Sequence, residues 1–74
     1  MNYRNTKLYK GLDHYTACSI AEGFCEGEGA SIEDQLVAWQ YISDTGIWKS
    51  LQGFYGRAVN DLIESGRIKA PKTN

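Results

Sequence analysis

His14, Cys18 and Cys25 are the residues of this 74-residue chain whose types could do chemistry together. On a helix the three share a side, and an imidazole with two thiolates is a zinc donor set. The spacing argues against that use. The cysteines are seven residues apart, about 10 Å along a helix. That is too far for one metal to take both, or for an intrachain disulfide. No C-x-x-C or H-x-x-x-H accompanies them. His14 and Cys18, one turn apart, are base and nucleophile by type. The chain holds a single histidine, however, and no third residue in the pattern orients it. Glu33 and Asp34 read as helix-start charges, and Glu26 and Glu28 as a solvated turn. Gly53-Phe-Tyr-Gly56 lies within a helical pattern and lacks phosphate-loop spacing. The expectation is a protein that is not an enzyme and takes no metal or cofactor. Its thiols read as free, partly buried groups of a reducing cytoplasm.

The elements that would carry these residues are helical. Asp13 caps a helix to Cys25, with Ala17, Ile20, Ala21 and Phe24 on one face. Glu26-Gly-Glu-Gly-Ala30 breaks it. Ser31 caps a second helix over 31–45, with Glu33 and Asp34 in its first turn and Gly46 past its end. Ile32, Leu36, Trp39 and Ile42 form its main apolar stripe, while Val37 and Tyr41 point the other way. A helix apolar on two sides needs two neighbours, from its own chain or from a partner. Residues 47–65 hold the best pattern: Ile47, Trp48, Leu51, Phe54, Tyr55, Ala58, Val59, Leu62 and Ile63 span an arc of about 180°. That favours one continuous helix, stopped by Gly66. The fold class is therefore all-α, a small three-helix bundle (about 13–25, 31–45, 47–65) with loose tails. It is one domain, with a basic arm over 1–11, a helical body over 12–66 and a basic tail over 67–74. Nothing in the chain spans a membrane and no secretory signal opens it, which reads as a soluble intracellular protein.

The net charge of −1 hides a segregation. Arg4, Lys7 and Lys10 precede seven acids over 12–44 with no Lys or Arg among them, and Arg67, Lys69 and Lys72 close the chain. Basic ends lying over an acidic middle, within one chain or between copies, are the plain reading. A tail meeting phosphate is the sharper one. On the second view Arg4, Lys7, Lys10, Arg67, Lys69 and Lys72 bind nucleic acid, with Tyr3 and Tyr9 stacking on bases.

Gly53 and Gly56 each cost about 1 kcal/mol relative to alanine in a helix interior. One reading is a shallow groove floored by both and edged by Lys49, Gln52, Arg57 and Asn60, where a partner docks. Another is that the N-terminal arm or first helix of the same chain crosses there. A third is that Gly53 ends a short helix begun at Ile47. The partner surface expected is Gln52, Gly53, Gly56, Arg57 and Asn60, with Val37 and Tyr41 as a second patch. A homodimer through either patch fits the same reading.

Trp39-Gln40, Ile42, Asp44-Thr45-Gly46, Trp48, Leu51-Gln52-Gly53, Tyr55-Gly56-Arg57, Ala58, Leu62-Ile63 and Gly66 together resemble a group of short accessory proteins encoded by tailed bacteriophages. The likeness covers residues 25–66. Trp48 falls one place earlier than in that group, and Lys49 stands where an apolar or aromatic residue is common. The resemblance implies action in the cytoplasm of an infected bacterium, in an accessory role, on a host or phage protein. It carries no activity and no site residues with it.

Overall fold

The computed structural model describes residues 3–23 and 29–71. Its helices are α1 (Lys7–Lys10), α2 (His14–Glu22), α3 (Ile32–Thr45) and α4 (Gly53–Glu64). Two 3-10 turns, Tyr3–Asn5 and Ile47–Ser50, complete the regular structure. No strand occurs among the described residues. The all-α class holds, with α3 as the hub on which every other element packs. Ala17 and Ile20 of α2, Ala38 and Ile42 of α3, and Tyr55 and Val59 of α4 form the buried core.

Two helix starts follow the sequence reading. The Asp13 carboxylate accepts from the Thr16 N–H at 2.7 Å, and the Ser31 hydroxyl accepts from the Asp34 N–H at 3.1 Å. Other boundaries differ. The first predicted helix ends at Glu22, with Gly23 at its C-cap, rather than at Cys25. Phe24, Cys25 and the Glu26–Glu28 turn lie outside the described residues, as does Lys72.

The continuous helix expected over 47–65 is two pieces. After the 3-10 turn, Leu51 and Gln52 are extended (ψ −179° and 153°), and α4 begins at Gly53. In an unbroken helix Trp48 and Gly56 would stand about 12 Å apart along the axis. Instead the indole folds back, so that a Cβ on Gly56 would meet its ring at 3.2 Å. Burial of that large apolar ring outweighs helical continuity here.

The loose tails are also corrected where they are described. Leu8 and Leu12 pack against the core, and the Thr6 hydroxyl caps α1 by accepting from the Tyr9 N–H. At the other end α4 closes in a Schellman motif: Gly66 N–H donates to Ile63 C=O and Arg67 N–H to Leu62 C=O, both at 3.0 Å. Gly66 supplies the left-handed residue this needs (φ 79°). The reversal carries Ile68 into the interior, where it is buried.

Both ends are then clasped on one side of α3. Asp44 accepts from Arg4 Nε at 2.7 Å and Nη2 at 2.8 Å, from the Tyr9 hydroxyl at 2.7 Å, and from Gln40 Nε2 at 3.1 Å. Arg4 Nη2 also donates to Ala70 C=O at 2.9 Å. Gln40 holds the Lys69 peptide from both directions, its amide N–H donating to the Lys69 C=O and its oxygen accepting from the Lys69 N–H, each at 2.8 Å. The second side of α3 is thus covered by the chain's own ends.

Candidate functional site

The first turn of α4 is where most of the expected contact residues meet. Its N-cap, Gln52, makes no capping bond through its side chain, and no acid occupies the turn. The N–H groups at the start of a helix lack helical acceptors, so this end is electropositive. Gly53, Arg57 and Asn60 are all exposed and recur at i, i+4 and i+7, which lines them along one outward face. A Cβ on Gly53 would meet only the tip of Arg57, at 3.4 Å. That guanidinium, the far end of a flexible side chain, is the one group over this glycine among the described residues.

Gly56 differs. Its bare flank is taken by the Trp48 ring, so it serves an internal contact and not an external one. Val37 is corrected too: it is 2% exposed, buried on the side of α3 that the chain ends cover, and offers no second patch. Tyr41 is half-buried, edge-on to Tyr9 and His14 with ring centroids 5.8 and 5.9 Å away. Of the seven residues expected to touch a partner, α4 presents Gln52, Gly53, Arg57 and Asn60 together.

Periodicity assigned Leu51 and Phe54 to the buried arc. They are 39% and 37% exposed and flank the same turn. The Phe54 ring leans on that of Tyr55 (4.5 Å), which in turn meets Trp39 (5.4 Å), and the Tyr55 hydroxyl donates to the Glu22 carboxylate. The buried aromatics fix the position of the exposed one. Lys49, also exposed, lies over the Trp48 ring with Nζ 5.7 Å from its centroid.

The basic set is dispersed in role. Arg4 is spent on Asp44 and Ala70, and its pKa is raised by the Asp44 hydrogen bond. Tyr9, meant for base stacking, is instead half-buried and bonded to Asp44. Burial and that bond push its hydroxyl up to about 12. Lys7, Lys10, Arg67 and Lys69 are exposed.

His14 is exposed on α2, and Cys18 is half-buried. Burial, with Glu22 nearby, pushes the Cys18 thiol up, which favours the unreactive protonated form. No group of three metal-ligating side chains exists among the described residues.

A cleft of about 300 Å³, absent from the sequence reading, opens between residues 43–46, Trp48, Lys49 and Pro71. Ser43, in its wall, keeps a buried hydroxyl with no hydrogen-bond partner among the described residues.

Fold and surface together define a small all-α domain with one bare, electropositive helix start edged by exposed apolar side chains. None of the family models, curated proteins or solved structures compared with the chain matches it. No helix among the described residues is long and apolar enough to cross a membrane.

Proposed function

We propose that this is a non-catalytic helical binding protein that engages a protein partner through the start of α4. Gln52, Gly53, Arg57 and Asn60 form the contact line, and Leu51 and Phe54 its apolar edge. The observation that carries the reading is Gly53. It is exposed, with only the movable Arg57 guanidinium over it, at a helix start that no side chain caps. A partner's backbone approaches closely there, and its carboxylate or carbonyl oxygens meet Arg57 and the free N–H groups. Taken with the resemblance to short phage products, the partner is a host or phage protein in the cytoplasm of an infected bacterium, and the role is accessory, as a modulator or inhibitor of a host process.

Gly53→Leu tests this. Because the added side chain meets only the far end of Arg57, which can swing aside, helicity and melting should stay near the parent values while partner capture is lost. Unchanged capture overturns the assignment. A second reading, nucleic-acid binding, rests on the exposed Lys7, Lys10, Arg67 and Lys69. It requires DNA affinity that falls steeply with salt and vanishes when these four are neutralised.

A further inference from the structure

Besides Tyr15 on α2, the large apolar side chains exposed on the described surface fall at two sites of opposite charge. Ile32, 75% exposed, opens α3 beside the exposed acids Glu33 and Asp34. Leu51 and Phe54 open α4 between the exposed cations Lys49 and Arg57. None of these four charges has an ion-pair partner among the described residues. The blocks are pure in sign: residues 12–44 hold no Lys or Arg, and residues 45–60 hold no Asp or Glu.

The two sites connect to one seam through Trp39 and Tyr55. Ile32 and Trp39 are seven residues apart, which on a helix means about 10 Å of rise and about 20° of rotation. Trp39 meets Tyr55, and Tyr55 meets Phe54, so both sites flank the Trp39–Tyr55 seam. A two-fold axis lying along that seam would set the acidic site of one copy against the basic site of another.

We infer that two copies of this chain pair across this seam, Ile32 of each copy seated on Leu51 and Phe54 of the other, with Glu33 and Asp34 facing Lys49 and Arg57. Each copy supplies one acidic and one basic half, so the contact is made twice and closes as a dimer. The apolar centre gains from exclusion of water, and the charges select the pairing and its register. Only a few side chains are covered, so the dimer is concentration-dependent and weakened by salt. The pairing goes beyond the foreign-partner reading in using Ile32, Glu33 and Asp34, which lie off the Gly53–Asn60 line; it shares Leu51, Phe54 and Arg57 with that contact, so self-pairing and partner capture compete.

Sedimentation velocity over a concentration series tests it, with circular dichroism confirming that each variant is folded. The parent protein should move from monomer to dimer as concentration rises. Ile32→Ser should remain monomeric over the same range while keeping partner capture. Lys49→Glu should raise the midpoint by about tenfold or more, equivalent to a lost charge contact, and Glu33→Lys added to it should restore most of the loss. A parent protein that stays monomeric throughout overturns the pairing, as does self-association indifferent to Ile32→Ser. A parent monomer whose Ile32 site is instead protected only when a foreign protein is bound assigns that surface to the foreign protein, and likewise overturns it.

Discussion

Asp44 gathers donors from 40, 35 and 4 residues away in the chain, through Arg4, Tyr9 and Gln40. Both members of its ion pair are largely shielded, with side chains 19% and 14% exposed. Removing Arg4 therefore strands a part-buried carboxylate. Arg4→Ala should cost about 1.5–3 kcal/mol in chemical denaturation, the range for hydrogen bonds to charged groups, and a double-mutant cycle with Asp44→Asn should show strong coupling. Partial burial pushes the Asp44 carboxyl up, but the Arg4 and Tyr9 hydrogen bonds outweigh it, and its pKa lies below the ordinary value. A depressed carboxylate stabilises the fold above its unfolded pKa, and that contribution is lost as pH falls through the lowered folded value. Tyr9 acts at the opposite end of the scale. Its pKa is raised from 10.0 to about 12, so its contribution is complete below the first value and lost as pH climbs towards the second. Melting curves across pH should show both limbs, with Tyr9→Phe weakening the alkaline one, to which Tyr41, also raised by burial, contributes. The two glycines separate at this scale as well. Gly56→Leu must expel the Trp48 ring, lowering the melting temperature and shifting tryptophan emission to the red, whereas Gly53→Leu should do neither.

At the scale of elements, α4 begins without a side-chain cap although Gln52 has extended backbone suited to one (φ −61°, ψ 153°). Gln52→Asp should stabilise the protein by about 1 kcal/mol, read from the shift in denaturation midpoint. A loss of partner capture in the same variant would place Gln52 in the contact. Much of the helical plan was legible in single residues: Asp13 and Ser31 as caps, Gly46 and Gly66 as stops, Ile42 and Val59 as core. A separate short piece begun at Ile47 was one of three readings of Gly53, and it is the one the structure bears out; periodicity favoured the unbroken helix instead. Trp48, Leu51 and Tyr55 keep helical spacing whether the chain is straight or folded back, because a 3-10 turn also returns every third residue to one side. Hydrophobic period therefore could not tell a buried Leu51 from an exposed one. The glycines held the missing signal, as Gly56 reports a ring packed on it and Gly53 reports a helix start left bare.

Across the whole molecule, the segregation of charge along the chain becomes a fastening of its ends. The basic arm reaches the acidic middle through Arg4 and Asp44, as the plain reading of the charge pattern expected, while polar and apolar contacts hold the C-terminal segment. Nothing local in Arg67-Ile68-Lys69-Ala70 marks this, because the partner of Lys69 is the Gln40 amide 29 residues earlier. Ile68, 3% exposed, is part of the interior. Ile68→Ala should cost about 2–5 kcal/mol, as for a buried isoleucine elsewhere, and a cost near zero in urea titration would return the segment to the status of a tail. With its ends committed to α3, the chain leaves the start of α4 exposed over residues 51–54. Hydrogen–deuterium exchange of the protein alone, at a concentration where it is monomeric, and in complex with the protein it captures tests that claim most directly. New protection confined to residues 51–60 is the result the account predicts. Protection concentrated at residues 3–11 and 67–71, with 51–60 unchanged, would contradict it.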